Sequence, residues 1–386
     1  MANQPLRAVE PKTSTDMPWL LTPGPLTTSA TVKATMLADW GSRDGRFVDV
    51  IGRIRKDLLK LANATDGWEC VIVQGSGTFA IEAAIGAFAP KQGQGKTLVC
   101  INGAYGERAA NILRHIGRPV VTLQRGEDEI ISPADLASAL DADPDIKLVF
   151  VVHCETTSGI VNPIAELTRV ARERGRIVYV DAMSSFGAIP LDMGTTGIDI
   201  MVSSSNKCIE GVPGFSYVLC RRALLESSKG ASHSVVLDLF AQWQGLEANG
   251  QFRFTPPTHA LVAFDQAMKE HAAEGGVAGR NARYRENQRI LLEGMRKMGF
   301  KTLLDDEKAG PIIQTFVTPA DPRFKFEPFY EALRVRGFAI YPGKLTKTPS
   351  FRVGTIGQVS PDVMRQFLVA VTEALKELGF ETARVA

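Results

Sequence analysis

The sequence predicts an α/β fold: a mainly parallel seven-stranded sheet covered by helices, followed by a smaller α+β unit. Three observations predict it. Strand-like and helix-like segments alternate from about Trp68 onward. Both flanks of the short strands are apolar, as a parallel sheet buried on its two faces requires. After Pro256-Pro257 the character changes, and long helical patterns lead into short mixed segments.

Val71-Ile72-Val73 opens the alternation and leads through Gly75-Ser76-Gly77-Thr78 into a helix over 79–89, whose small and apolar residues suit close packing. Strands follow over 97–101, 120–123, 147–152, 177–180 and 199–202, with helices over 106–116, 133–140 and 163–174 between them. A further strand over 215–220 has a direction that the pattern does not fix. Beyond the paired prolines, helices over 258–274 and 277–298 stop at Gly275-Gly276 and Gly299, because glycine readily ends a helix. Strands over 312–317, 339–341 and 351–353, with helices over 326–336 and 361–378, make up the smaller unit. At 386 residues one small core is not expected. The division expected is a flexible tail over 1–16, a large domain over 17–275 and a small domain over 276–386.

Lys plus Arg number 44 and Asp plus Glu 42, so net charge makes no case for nucleic acid or an acidic membrane surface. Any anion recognition must be local. The five cysteines form no CxxC pair and read as buried free thiols of a reducing compartment. The first sixteen residues are polar and proline-bearing, without the apolar run of a signal peptide or anchor. No stretch approaches the length of a membrane span, and a cytoplasmic location is expected.

Two residues carry the chemistry. Asp181 closes Ile177-Val178-Tyr179-Val180, and Lys207 ends Ser203-Ser204-Ser205-Asn206-Lys207, 26 residues on (207 − 181). Both stand at carboxyl ends of strands, where open α/β sheets place ligands. A lysine there can form a Schiff base with an aldehyde cofactor, and an aspartate can hold a pyridinium nitrogen. Pyridoxal 5'-phosphate needs both. Singly, Asp181 reads equally as a helix cap or ion-pair partner, and Lys207 as a surface lysine.

Gly75-Ser76-Gly77-Thr78 adds a strand-to-helix loop whose unpaired N–H groups suit a phosphate. A serine N-cap after a turn glycine gives the same letters. Ala80 stands where the third glycine of a dinucleotide fingerprint belongs, so that motif is excluded. The order phosphate loop, aspartate, lysine is more specific than any one member. Tyr105, past another strand, offers a ring for stacking or simply packs on a helix. Glu155-Thr156-Thr157-Ser158-Gly159 places hydroxyls at a strand end, to bind a cofactor oxygen or to cap the next helix. Arg352, flanked by Phe351 and Val353, is either a snorkelling edge arginine or a planar fork for an acidic group. No metal-ligand set is expected.

Together these stretches resemble the 2-aminoethylphosphonate–pyruvate transaminases, within the class V, fold-type I aminotransferases. The likeness runs from Leu20-Leu21-Thr22-Pro23-Gly24-Pro25 to Arg352-Val353-Gly354. It is carried most by Gly75-Ser76-Gly77-Thr78, Cys154-Glu155-Thr156-Thr157-Ser158-Gly159, Asp181-Ala182-Met183-Ser184-Ser185, Ser205-Asn206-Lys207-Cys208-Ile209 and Tyr341-Pro342-Gly343-Lys344. The resemblance implies a homodimeric, pyridoxal-phosphate-dependent enzyme of phosphonate catabolism. By a ping-pong route it would convert 2-aminoethylphosphonate and pyruvate into phosphonoacetaldehyde and L-alanine.

Residue by residue, the resemblance implies that Lys207 binds the cofactor covalently, Asp181 pairs with its ring nitrogen and Tyr105 stacks on the ring. Ser76, Gly77 and Thr78 would hold the phosphate, Thr255 would reach in from a partner subunit, and Thr156 would contact the ring oxygen. Arg352 would receive the substrate's acidic group, with Thr28 beside it and Thr27, Arg43 and Lys344 as further candidates. Trp40-Gly41-Ser42-Arg43-Asp44 departs from the acidic run of some members, which leaves substrate preference less fixed than cofactor. The alternatives are an alanine– or serine–glyoxylate aminotransferase of the same class, and a catalytically silent ligand-binding protein on this fold.

Overall fold

The computed structural model describes residues 17–345 and 347–383, so the tail expected over 1–16 lies outside the described residues. Seven strands form the main sheet: β1 (Trp68–Gln74), β2 (Lys96–Ile101), β3 (Val120–Gln124), β4 (Ile146–Val152), β5 (Ile177–Asp181), β6 (Ile200–Ser204) and β7 (Phe215–Arg221). Their order is β1-β7-β6-β5-β4-β2-β3. All neighbours from β6 to β3 are parallel, whereas β7 runs antiparallel to both β1 and β6. The strand whose direction the sequence left open is thus a reversed strand inserted between two parallel ones. Along β4 only Lys147 is exposed, and burial on both faces explains why the run lacks a polar alternation.

Helices α1 (Gly45–Leu61), α2 (Gly77–Phe88), α3 (Ala104–His115), α4 (Pro133–Ala142), α5 (Ile164–Glu173), α6 (Leu239–Asn249) and α7 (Thr258–Ala273) pack with this sheet into one apolar core. Helix α1 was not anticipated, since the sequence reading began its elements at Trp68. It buries Phe47, Val50, Ile51, Ile54 and Leu58 at three- and four-residue spacing, and Asp44 caps its start by accepting from the Arg46 N–H.

A second core lies among α8 (Gly276–Lys297), α9 (Phe326–Val335), α10 (Pro361–Glu377) and a small antiparallel sheet. That sheet orders β8 (Lys301–Thr302), β9 (Ile313–Val317), β11 (Ser350–Gly354) and β10 (Tyr341–Pro342) as β8-β9-β11-β10. Serine-proline pairs start both α4 and α10. The Ser132 and Ser360 hydroxyls accept from Asp135 and Val363, and proline takes the first helical position, where no N–H is needed. The N-terminal segment joins this second core, because Trp19 and Leu20 pair with Phe338 and Ala339 and Leu21 is buried within it.

A buried ion network ties α8 to the loop that follows β6. Glu210 accepts from Arg283 Nη2 at 2.8 Å and from the Tyr284 hydroxyl at 2.5 Å. Arg280 Nε binds Glu274 at 2.6 Å while its Nη1 donates to the Cys208 carbonyl. Glu210 takes a left-handed φ of +65°, so the network holds the loop in a conformation that a side chain disfavours. Among the described residues no helix is long and apolar enough to cross a membrane, and all five cysteines are buried and unpaired.

Replacing Glu210 with Ala leaves the buried Arg280 and the half-buried Arg283 guanidiniums short of a carboxylate. The expected loss is about 3 kcal/mol, read as a lower urea midpoint of the purified protein. A wild-type midpoint would mean that Glu274 alone balances both arginines.

Candidate active site

The parallel strands end along one edge of the sheet, and the loops leaving them converge there. Asp181, the last residue of β5, lies in register between Val152 of β4 and Val202 of β6. Lys207 follows β6, and the Gly75-Ser76 loop joins β1 to α2. The reversed strand β7 starts opposite Gln74, which brings Gly214 against that loop through a 2.9 Å bond from Gly75 N to Gly214 O. One cavity of about 390 Å³ is lined by Ser76, Gly77, Thr78, Tyr105, Asp181 and Lys207 together. Six residues singled out from sequence therefore meet in one place. Thr28, Thr156, Thr255 and Arg352 do not line it. Thr28 is buried and its carbonyl accepts from Lys33, while Thr255 is exposed and its carbonyl accepts from the Gln74 side chain.

One end of the cavity is built for an anion. Ser76 is the N-cap of α2, yet its side chain caps nothing. The first-turn N–H groups have no intrahelical acceptor and carry the helix's partial positive charge. A Cβ on Gly77 would come within 2.3 Å of the Met183 sulfur, so any larger residue would have to displace the Met183 side chain from the turn. Arg108 Nη1 donates to Thr78 Oγ1 at 3.1 Å and adds a cation. Backbone donors, free hydroxyls and a guanidinium form a phosphate's donor set.

The other end holds the titratable pair. Asp181 is 2% exposed, and among the described residues the one hydrogen bond onto its carboxylate comes from the Met183 N–H, at 2.9 Å. Burial pushes its pKa up to about 7. A buried carboxylate without a counter-charge is costly, and a protonated ring nitrogen supplies that charge. Lys207 Nζ donates to Pro23 O at 2.6 Å and Gly24 O at 3.4 Å, and burial lowers its pKa. Gly24 is needed here, because a Cβ would stand 2.7 Å from Lys207 Cδ.

Two supports were not foreseen from the sequence. Glu155, fully buried, accepts from the N–H groups of Tyr105 (3.1 Å), Gly106 (3.3 Å) and Thr157 (3.2 Å) and from the Thr157 hydroxyl (2.6 Å). It thereby fixes the first turn of α3, which carries Tyr105. Gly103 makes room for it, since a Cβ would lie 2.4 Å from the Glu155 side chain. Arg108 is the second support; helical spacing places it one turn after Tyr105, where its guanidinium lies 4.9 Å from the tyrosine ring centroid. Arg352 is 6% exposed, which excludes the snorkelling reading. Its Nε donates to Pro342 O at 3.1 Å and its Nη1 to Thr156 O at 2.8 Å, while Nη2 makes no bond among the described residues.

The aminotransferase class-V family model matches residues 30–365. The chain belongs to the class-V aminotransferases. A 2-aminoethylphosphonate–pyruvate transaminase of Rhizobium meliloti (strain 1021) is 51% identical over 367 residues, 95% of either chain. One of Pseudomonas aeruginosa is 46% identical over 361 residues, covering 94% of this chain and 97% of that one. Among solved structures, the pyridoxamine–pyruvate aminotransferase of Mesorhizobium loti superposes with a TM-score of 0.86 at 22% identity, covering 96% of this chain and 95% of that one. An alanine–glyoxylate aminotransferase of Nostoc sp. gives 0.84 at 23% identity, covering 97% and 100%. These likenesses establish the fold expected from the sequence, that of the fold-type I transferases.

Pyridoxal phosphate, on which class-V aminotransferases depend, fits what this aminotransferase presents. The open start of α2 suits its phosphate, the uncompensated Asp181 its ring nitrogen, the Lys207 amine its aldehyde and the Tyr105 ring its face. Ser204 Oγ, in the cavity lining, is buried without a hydrogen-bond partner among the described residues and remains available to a polar ligand, whereas the Thr156 side chain lies against the Tyr105 phenol.

Because burial raises the Asp181 pKa in the folded state, the folded protein holds that proton more tightly than the unfolded chain. The stability it contributes is present below the ordinary carboxyl value of 3.8 and is lost as pH rises through about 7. At pH 8 the cofactor-free Asp181→Asn variant should therefore be more stable than the cofactor-free parent, by about 1 kcal/mol or more. Superimposable pH–stability curves would show that the chain itself already compensates Asp181.

Proposed function

We propose that this chain is a homodimeric, cytoplasmic enzyme that transfers the amino group of 2-aminoethylphosphonate to pyruvate, releasing phosphonoacetaldehyde and L-alanine in a ping-pong sequence. The observation that carries the reading is the shared cavity of Lys207, the uncompensated Asp181 and the open start of α2. It lies in a chain about half identical, along nearly all its length, to relatives named for that reaction.

When bound, pyridoxal phosphate supplies a carbonyl for the amino group and a ring that absorbs the electron pair left on carbon when a proton departs. The chain does the rest. Ser76, Gly77 and Thr78 hold the phosphate, with Arg108 balancing charge. Asp181 keeps the ring nitrogen protonated, and Tyr105 presents its ring to the cavity from a helix turn pinned by Glu155. Lys207 Nζ takes the proton from the amine-bearing carbon of the substrate. Its lowered pKa raises the unprotonated fraction that can do so. Arg352 Nη2 receives the acidic group of either substrate, phosphonate or carboxylate, since its other donors are bound to carbonyls.

A second copy is supported by an apolar patch beside the phosphate loop. Phe79, Val236 and the exposed Phe254 line a further cavity that also takes in Gly75, and Val235 is exposed close by. Thr255 follows Phe254 on this patch, where it would serve the neighbouring subunit rather than its own. Five buried, unpaired thiols fit a reducing compartment.

The deciding experiment follows the absorbance of the bound cofactor while 2-aminoethylphosphonate, L-alanine or L-serine is added singly, without a keto acid. Rapid change with the phosphonate, and slow change at most with serine, is expected. Response to serine or alanine but none to the phosphonate would transfer the chain to the glyoxylate-using branch. Lys207→Ala should abolish multiple turnover; turnover at the parent rate would end the lysine assignment.

Arg352→Lys keeps the charge and loses the fork. It should cost about 2 kcal/mol, or roughly 30-fold in kcat/KM, with both amino donors. Parent kinetics would show that Arg352 binds only the backbone.

A further inference from the structure

We propose that Lys344 is the specificity residue that selects a doubly charged phosphonate over a singly charged carboxylate, an inference that rests on the function proposed above. The Lys344 ammonium lies 4.2 Å from the centroid of the Tyr105 ring. Tyr105 lines the cavity that holds Lys207 and Asp181, whereas Lys344 lines a larger neighbouring cavity of about 780 Å³; Arg108 lines both. The two spaces thus meet at this ring.

The cations around it are differently committed. Lys207 is bound to the Pro23 and Gly24 carbonyls. Arg108 is tied to Thr78 in the phosphate loop, and Arg352 spends two of its groups on Pro342 and Thr156. Among the described residues Lys344 has no ion pair and no hydrogen bond, and its contact is with the Tyr105 ring. It is the uncommitted cation of the larger cavity, whose lining also carries Glu82, Glu107 and Glu127.

Its reach extends to the cavity. Burial would raise the pKa of the Tyr105 phenol, yet the positive charges of Lys207 and Lys344 outweigh that and lower it. The Arg352 guanidinium feels the same phenol. Arg352 keeps its Nη2 group for one oxygen of a singly charged carboxylate. A phosphonate brings a third oxygen and close to a second negative charge, so a second cation stabilises it about twice as much as it does a carboxylate. The four-carbon stem of lysine lets this point charge reach the phosphonate and withdraw when pyruvate or alanine is bound. The other candidates for this role, Thr27, Thr28 and Arg43, line neither cavity, and neither does Arg352.

The test uses the cofactor-loaded enzyme and two probes without an amine, ethylphosphonate and propionate, titrated calorimetrically against the parent, Lys344→Met and Lys344→Arg, at a pH above the second ionisation of ethylphosphonate so that it carries both charges. In Lys344→Met the affinity ratio of ethylphosphonate to propionate should fall about tenfold, and Lys344→Arg should restore most of it. The ratio of kcat/KM for 2-aminoethylphosphonate to that for L-alanine should fall in parallel. Equal losses for both probes, or an unchanged ratio, overturn the assignment. A parent enzyme that responds to L-alanine but not to 2-aminoethylphosphonate overturns the proposed function first, and is seen before any variant is made.

Discussion

Asp181 is buried at the end of the central strand of the sheet with one backbone N–H to satisfy it. A group so placed either holds its proton or, as a carboxylate, calls for a cation that the chain does not pair with it. The surrounding architecture follows from keeping that vacancy open. The parallel register of β4, β5 and β6 levels the strand ends around Asp181, the loop after β6 brings Lys207 to the same edge, and neither closes on the carboxylate as an ion pair. Lys207 is instead drawn to the Pro23 and Gly24 carbonyls. The approach of the N-terminal segment thus holds amine and carboxylate in one cavity without letting them cancel.

Three buried carboxylates make the same point by contrast. Glu155 is met by three N–H groups and a hydroxyl, and Glu210 by an arginine and a tyrosine, with Arg280 close by at 3.4 Å. Both are satisfied within the chain, and both act as fasteners: one fixes the helix turn bearing Tyr105, the other the loop bearing Lys207. Each has partners from a distant helix, α3 for Glu155 and α8 for Glu210, so the frame is cross-braced by elements far apart in sequence. Asp181 alone keeps unspent capacity. Where a fold satisfies some buried charges completely and leaves one short, the short one marks the ligand.

Much of this was legible in the sequence because it is local. The alternation of apolar runs and helices, the Gly75-Ser76-Gly77-Thr78 loop, and Asp181 and Lys207 past their strands all lie within short windows, and the structure brings them to one cavity. What was missed is long-range or hidden by composition. Helix α1 carries its apolar positions among Arg53, Arg55, Lys56 and Asp57, and a mean hydropathy that low masks the stripe. The direction of β7 depends on which strands accept it, which no local pattern encodes. Glu155 reads as one letter in a Thr-rich turn until Gly103, some fifty positions away, is seen to vacate the space it fills.

Anion recognition shows why net charge was a poor guide and local charge a good one. Lysine and arginine exceed aspartate and glutamate by only two across the chain, yet four cations gather around Tyr105 and the phosphate loop. Each is held differently: Arg108 by a threonine hydroxyl, Arg352 by two backbone carbonyls, Lys207 by two others and Lys344 by an aromatic face. A neutral tether positions a cation without neutralising it, so the field of the group stays available to a ligand in a cavity where screening is weak. A carboxylate partner would fix the same side chain more firmly and cancel its charge. Holding cations by dipoles and hydroxyls rather than by carboxylates lets a chain with almost no net charge present a positive field to an anionic ligand.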